Sequence, residues 1–391
     1  MSVFDGLEDF PPDPIFGLAI EFASDGREGK YTFVTGYYEK EDLKVPVFES
    51  VHAVEKRLGV ERPSRTYLPP GGMRSFVEAI QGLVFGEEEK ERITGVQTIG
   101  GTGALYLAGR IASKWTSEIA ISNPTWANHW AIFPSAGLKT VPYPYYAKGK
   151  LLFAEMLAAL PENAAVLLHT SCHNPSGLDL SRGEWEELIA LCKKKNLFPI
   201  LDMAYHGFAG TPSEDTSTAR LFLESGLEFA LTYTCSKSFG LYGERVGALF
   251  FVAEDPKKGP LIADNLRQVI RPSYSNPPTH GVRVVKEILT DPALKAGWEE
   301  ELSSMRKRIK EMREAFFTIL TGKDPDTDWG VIKRGKGLFY ASELPNPALE
   351  EMRQEHALYL GPLGRINLTG INGKNIEQLA DVLIMMRKKH S

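Results

Sequence analysis

Lys237 lies in the stretch Thr234-Cys235-Ser236-Lys237-Ser238-Phe239-Gly240-Leu241-Tyr242-Gly243-Glu244-Arg245, between apolar runs at 229–233 and 246–252. That layout puts a lysine in a polar, glycine-bearing loop between two buried strands. An ammonium there loses hydration, so its pKa falls and its amine becomes available as a nucleophile. Amines of this kind form Schiff bases with carbonyls, including the aldehyde of pyridoxal phosphate. Arg245, on the same loop, is a fixed cation suited to a phosphate. Read alone, the same lysine could be a solvated loop residue.

Three further stretches carry groups of matching chemistry. Gly100-Gly101-Thr102-Gly103-Ala104-Leu105 follows Val96-Gln97-Thr98-Ile99 and opens an Ala/Leu-rich helix. Its glycines let backbone N–H groups approach an anion, and the helix N-terminus adds favourable partial charge. Tyr106 stands where a dinucleotide fingerprint needs glycine, which disfavours that reading and leaves a plain turn as the alternative. Asp202 closes the apolar run at 198–201; a carboxylate buried there needs a positive partner, and a protonated pyridine nitrogen would serve. It could instead cap the next helix. In His169-Thr170-Ser171-Cys172-His173-Asn174-Pro175-Ser176-Gly177, Asn174 precedes proline, leaves the helical region and can offer its amide to a ligand. Pro175 argues against a helix that would bring His169 and His173 together on a metal.

These residues must be held by a scaffold, and its signature is legible between 96 and 252. Short apolar runs at 119–121, 166–168, 198–201, 229–233 and 246–252 alternate with helical or loop stretches. Continuous rather than alternating apolar runs predict a parallel sheet covered on both faces, with ligands beyond the carboxyl ends of the strands. Apolar residues at three-and-four spacing predict an amphipathic helix through Trp298, Leu302, Met305, Ile309, Met312, Phe316 and Ile319, with Lys and Glu opposite. The last helix repeats this with Ile376, Leu379, Leu383 and Met386, and an earlier one with Val51, Val54 and Leu58. A β-favouring run from Tyr31 leads to Gly36, and Pro11-Pro12-Asp13-Pro14 reads as an extended arm. The charge runs at 87–90 and 193–195 read as solvated helix ends.

At 391 residues the chain exceeds the size at which one core stops growing, so about two domains are expected. With 43% hydrophobic and 24% charged residues and a net charge of −5, nothing suggests nucleic acid or an anionic membrane. Three cysteines without CxxC spacing read as reduced thiols, with no metal site. The acidic N-terminus lacks a signal or transit pattern, and no apolar run approaches the roughly 20 residues of a membrane span. A cytoplasmic location is expected.

Together the motifs resemble the class I, fold-type I pyridoxal-phosphate aminotransferases, specifically the aspartate and aromatic amino acid aminotransferase subfamily. The resemblance runs from Asp13-Pro14-Ile15-Phe16-Gly17-Leu18 to Gly364-Arg365-Ile366-Asn367. Between them it includes Tyr67-Leu68, the glycine-rich turn at 100–105, Asn123-Pro124-Thr125-Trp126-Ala127-Asn128-His129, Cys172-His173-Asn174-Pro175, the Lys237 loop, and Arg271 with Tyr274-Ser275-Asn276-Pro277-Pro278.

The resemblance implies an α/β fold: a large domain (45–304) whose mostly parallel seven-stranded sheet is covered by helices, a smaller α/β domain (13–44 and 305–391), and an N-terminal arm (1–12). It implies pyridoxal 5′-phosphate held by Lys237 as Schiff-base lysine and proton shuttle. Asp202 would pair with the pyridine nitrogen, with His129 behind it. Tyr205 and Asn174 would bond the ring's phenolic oxygen, and Trp126 would stack on the ring. Gly101, Thr102, Thr234 and Arg245 would hold the phosphate, joined by Tyr67 of a second subunit in a homodimer with shared sites. Arg365 would take the substrate's α-carboxylate, near Gly36, Trp126 and Asn174; Arg271, again from the neighbour, would take a side-chain carboxylate. The implied reaction is ping-pong transamination between aspartate, and also tyrosine or phenylalanine, and 2-oxoglutarate. A mainly aromatic enzyme, another reaction on the same cofactor, and a silent homologue are the alternatives. Four stretches depart from the family wording: Thr234 for serine, Tyr37 for a smaller aliphatic residue, Thr66 before Tyr67, and Gly361-Pro362-Leu363. They bear on substrate width.

Overall fold

The computed structural model describes residues 2–8 and 13–390. The Pro11-Pro12 part of the expected arm lies outside the described residues. Seven strands form the central sheet: β1 (Ile93–Ile99), β2 (Glu118–Asn123), β3 (Lys139–Pro144), β4 (Ala165–His169), β5 (Phe198–Met203), β6 (Phe229–Thr234) and β7 (Val246–Val252). Their order across the sheet is β1-β7-β6-β5-β4-β2-β3. Strands β3, β2, β4, β5 and β6 run parallel, while β7 is antiparallel to both β1 and β6.

Both faces are covered, which is why the strands read as unbroken apolar runs. Ile119, Ile121, Leu167, Ile200 and Leu249 pack with Leu105 and Ala108 of the helix Gly100–Ala112. Ala120, Val166, Leu168, Leu231 and Phe250 face the other core, with Trp185, Leu188 and Phe222. Two strands escaped the sequence reading of continuous runs. β1 is diluted by threonine, glycine and glutamine; Gly95 is needed there because a Cβ would lie 2.6 Å from the Phe250 ring and from Val77. β3 carries Pro142 and Pro144, which a strand tolerates at the sheet edge, where β3 lies.

A second lobe gathers the two ends of the chain. Tyr31–Thr32 pairs parallel with Leu358–Tyr359, and Phe339–Ala341 pairs antiparallel with Arg365–Asn367. The run from Tyr31 is thus a strand for two residues only, and Phe33 and Val34 continue as buried coil. The long helix spans Pro292–Lys323, capped by Asp291, whose carboxylate accepts from Ala293 N at 2.9 Å. Its buried stripe holds Trp298, Leu302, Met305, Ile309 and Phe316 as the spacing marks; Met312 and Ile319 pack half-buried against the core, and Arg313 and Leu320 are buried beside them. The helices Glu49–Glu61 and Ile376–Lys389 bury the residues their spacing marks.

Candidate active site

The site lies where the parallel strands end. β6 stops at Thr234, whose hydroxyl accepts from Ser236 N at 3.2 Å and so caps the one-turn helix Cys235–Ser238. The expected loop around Lys237 therefore starts as a helical turn, which fixes the lysine's direction. Returning toward β7, Arg245 adopts φ +54°, and its Nη1 donates to Tyr242 O at 3.1 Å and to Ser236 Oγ at 3.4 Å. The guanidinium fits only because position 100 is glycine: a Cβ there would lie 2.5 Å from Arg245 Nη2. Gly101 packs tightly on Thr234, where a Cβ would be 3.3 Å from the threonine Cβ. Guanidinium, two hydroxyls and the N-terminus of helix Gly100–Ala112 thus converge into a cradle for a multiply charged anion.

Asp202 stands one strand over, in register with Thr232 of β6 and His169 of β4. Its Oδ1 accepts from Thr232 Oγ1 at 3.2 Å. Its Oδ2 lies 3.3 Å from His129 Nε2, off the line of a directional hydrogen bond, and 3.9 Å from His169 Nε2. Burial alone would raise the Asp202 carboxyl, but the adjoining His129 imidazole, then His169 and Lys237, hold it below the usual carboxylate value. His129 is in turn oriented by Thr125 Oγ1, 2.8 Å from Nδ1, and by the Trp126 ring at edge-on contact. Burial first, then His129, depresses His169 to about 3, so its ring is neutral. His129, His169 and Asp202 hold their potential ligand atoms within 4.8 Å of one another. His173 is elsewhere engaged: its ring stacks on Tyr145, with Ser122 and Ser176 hydroxyls at its two nitrogens.

Lys237 Nζ lies 4.8 Å above the Tyr205 ring and faces the Asp202 side of the cavity. Burial lowers its pKa to about 8, against the pull of the Asp202 charge. The fall expected from the sequence is present. Arg365 closes the far wall: Nη1 donates to Asn174 Oδ1 at 3.1 Å, Nη2 to Val34 O at 2.5 Å, and the cation sits 4.3 Å over the Phe339 ring. Its Nε is buried without a partner, and burial lowers its pKa to about 10.

These groups line one cavity of about 530 Å³. Of the residues singled out in the sequence, it is lined by Gly36, Gly101, Thr102, Trp126, Asn174, Asp202, Tyr205, Thr234, Lys237, Arg245 and Arg365. His129 is fully buried behind Asp202. Tyr67 and Arg271 are not brought to it: Tyr67 is 90% exposed, and Arg271 is exposed on helix Gly259–Ser273, bonded to Ser275 Oγ. Ser236, Tyr242, His169 and Phe339 also line the cavity and went unassigned. Ser236 could have been found, since a hydroxyl beside the lysine and near a fixed cation is a phosphate donor by type. Phe339 carried no signal, because nothing local distinguishes it from a core residue.

A mostly parallel α/β sheet with a cavity lysine, a facing carboxylate and an anion cradle at its strand ends defines an enzyme of carbonyl–amine chemistry. The family described as aminotransferase class I and II matches residues 30–383. An aspartate aminotransferase of Pseudomonas aeruginosa is 38% identical over 99% of this chain and 100% of its own. An aromatic-amino-acid aminotransferase of Escherichia coli is 34% identical over 97% of this chain and 98% of its own. The crystal structure of an aromatic-amino-acid aminotransferase from Burkholderia pseudomallei, covalently bound to pyridoxal phosphate, superposes with a TM-score of 0.94 at 35% identity, covering 99% of this chain and 100% of that one. The chain belongs to the class I and II aminotransferase family.

Proposed function

We propose that this aminotransferase runs pyridoxal-phosphate-dependent transamination between aspartate, tyrosine or phenylalanine and 2-oxoglutarate, in two half-reactions on one site. The observation that carries the reading is the line of groups across a single cavity: anion cradle, Lys237, Asp202, then Arg365. The cofactor is pyridoxal 5′-phosphate, and the cavity fits it. The cradle at Gly101, Thr102, Thr234, Ser236 and Arg245 would hold the phosphate, Asp202 would pair with the ring nitrogen, Trp126 would flank the ring, and Asn174 and Tyr205 would serve its phenolic oxygen. When bound, that group supplies an aldehyde and an electron-withdrawing ring.

The chain's own residues do the rest. Arg365 binds the α-carboxylate with the face that Asn174 and Val34 leave open, where its unpartnered Nε supplies a further donor. With the α-carboxylate held by Arg365 and the cofactor's phosphate seated in the cradle, the substrate's α-carbon would lie within reach of Lys237. Lys237 Nζ is the amine that would take up and pass on the α-proton. Asp202 keeps a negative charge against the ring nitrogen throughout. The walls of Trp126, Tyr205 and Phe339 exclude water from the moving proton.

The lobe formed by 13–44 with 305–391 is read as the small domain and 45–304 as the large one; the pairing of Tyr31–Thr32 with Leu358–Tyr359 supports that division. The active unit is read as a homodimer in which the neighbour supplies Tyr67 and Arg271. Their exposure in one chain supports this, together with the exposed Val3, Phe4, Leu7, Phe16 and Ile20 near the N-terminus. Three buried free thiols fit a cytoplasmic, reducing setting, and among the described residues no helix is long and apolar enough to cross a membrane. Mixing inactive Lys237→Ala with inactive Arg271→Asp chains tests the sharing. Hybrid dimers regain aspartate turnover at one site each, and no recovery after confirmed subunit exchange overturns it.

A second reading, an enzyme mainly for aromatic amino acids, is favoured by the cavity mouth. Tyr37 meets Tyr242 edge-on at 4.8 Å, and Phe339 and Trp126 complete an aromatic rim. Single-turnover rates with aspartate and phenylalanine, read from the cofactor's absorbance, decide between the two. On the primary reading Arg271→Leu lowers kcat/KM for aspartate by at least about 10²-fold (roughly 2.7 kcal/mol) and spares phenylalanine. Equal losses on both substrates would place Arg271 in the fold or the dimer instead.

A further inference from the structure

Arg313 lies on helix Pro292–Lys323 between Ile309 and Phe316 at the spacing of the apolar face, and it is a cation only 5% exposed. Every hydrogen bond recorded for it goes to a backbone carbonyl. Nη1 donates to Ile332 O at 2.7 Å; Nη2 shares its protons among Lys336 O, Gly337 O and Phe339 O at 2.9, 2.9 and 2.7 Å; Nε reaches Gly337 O at 3.3 Å. The guanidinium thus gathers the whole segment from 332 to 339 around one planar cation. That segment packs on the loop that carries Asn174. Lys336 N donates to Gly177 O at 2.7 Å, and Gly337 takes φ +68° where a Cβ would lie 2.5 Å from Cys172 Cβ.

The last carbonyl held is that of Phe339, the first residue of the strand paired with Arg365–Asn367. The Phe339 ring is the platform under Arg365, 4.3 Å from its guanidinium carbon, and it meets the Tyr205 ring edge-on at 5.8 Å. Arg365 has its two terminal nitrogens anchored at Asn174 and Val34, so the tilt of its plane is set by what lies beneath it. A planar donor fork reads a carboxylate only in the right plane.

We propose that Arg313 is a positioning residue for substrate: by fixing Phe339 it sets the plane of Arg365 and thereby the affinity for the α-carboxylate. This rests on the proposed transamination, in which Arg365 takes that carboxylate. A purely structural Arg313 would affect melting temperature alone; a positioning one splits KM from kcat.

Three variants separate these. Arg313→Lys keeps the charge but offers a point cation with fewer donors for the same carbonyls. Gly335→Ala deletes nothing and pushes on the strut, since its Cβ would lie 2.6 Å from Arg313 Nη1 while φ of −70° suits alanine. Phe339→Leu removes the platform and leaves the strut. Holoenzymes are compared by steady-state kinetics with phenylalanine and 2-oxoglutarate, by absorbance of the bound cofactor, and by thermal melting. Expected is a rise of about tenfold in KM for both substrates in all three, because each needs the same carboxylate fork, with kcat held within about threefold and the spectrum unchanged in Arg313→Lys and Gly335→Ala. KM values within about twofold of wild type in Arg313→Lys and Gly335→Ala overturn the proposal whatever the melting temperature. So does a collapse of kcat with an altered spectrum, because the damage then reaches the lysine. If Arg313→Lys does not fold, Gly335→Ala decides alone. A wild-type enzyme that binds no cofactor or transfers no amino group would instead refute the functional reading, a separate result.

Discussion

Lys237→Ala binds pyridoxal phosphate without a covalent link and loses at least about 10²-fold, and up to about 10⁴-fold, of its turnover. The expectation follows from what the side chain does and what its removal leaves intact. On the proposed function its amine is the proton-transfer group, and it lies over the Tyr205 ring with a pKa lowered by burial to about 8. Alanine leaves the Thr234 cap, the Arg245 bonds and the Gly100 notch in place, so the phosphate still has its seat. Absorbance separates the two effects, since the covalently bound form has its own band. Retention of more than a few per cent of kcat would remove Lys237 from the mechanism. The lowered pKa also sets a direction with pH. The nucleophilic form is the neutral amine, so cofactor attachment to the wild-type apoenzyme quickens as pH rises through about 8 and then levels off. A rate flat from pH 6 to 9 contradicts that sign.

Asp202→Asn carries the second large effect. The carboxylate is buried, bonded by Thr232 and flanked by two imidazoles, and these neighbours hold it ionised. An amide of the same shape keeps the Thr232 bond but cannot keep a positive charge on a ring nitrogen. The expected loss in kcat/KM is about 10³-fold, or roughly 4 kcal/mol, with far-UV circular dichroism unchanged. Loss of less than about tenfold would show that Asp202 is structural.

Much of this site was legible because its chemistry is tied to local strand ends. Asp202, Thr234 and the Gly100 turn each sit where an apolar run stops, and the structure puts those stops in one row. Arg245 was legible as a cation on the same loop as the lysine. What stayed hidden depends on non-local packing. The edge strand Lys139–Pro144 reads as a loop because its prolines are harmless only where no neighbour needs their N–H. Arg313 went unremarked because nothing in its own helix announces the four converging carbonyls from beyond residue 330. Tyr67 and Arg271 rested on family resemblance alone, and one chain leaves both outside the cavity.

The antiparallel return of β7 beside β6 has a consequence for how the protein is made. Gly247 pairs directly with Thr234, so the lysine and the arginine of the cradle lie on one short connection between adjacent strands. Arg245 and Ser236 meet across nine residues of sequence, whereas Arg365 and Asn174 meet across 191. Contacts that close short loops form sooner than those that close long ones. During synthesis the lysine and arginine emerge together, well before Arg365, so the local contacts of the anion cradle are expected to form ahead of the long-range contact that orients the carboxylate fork.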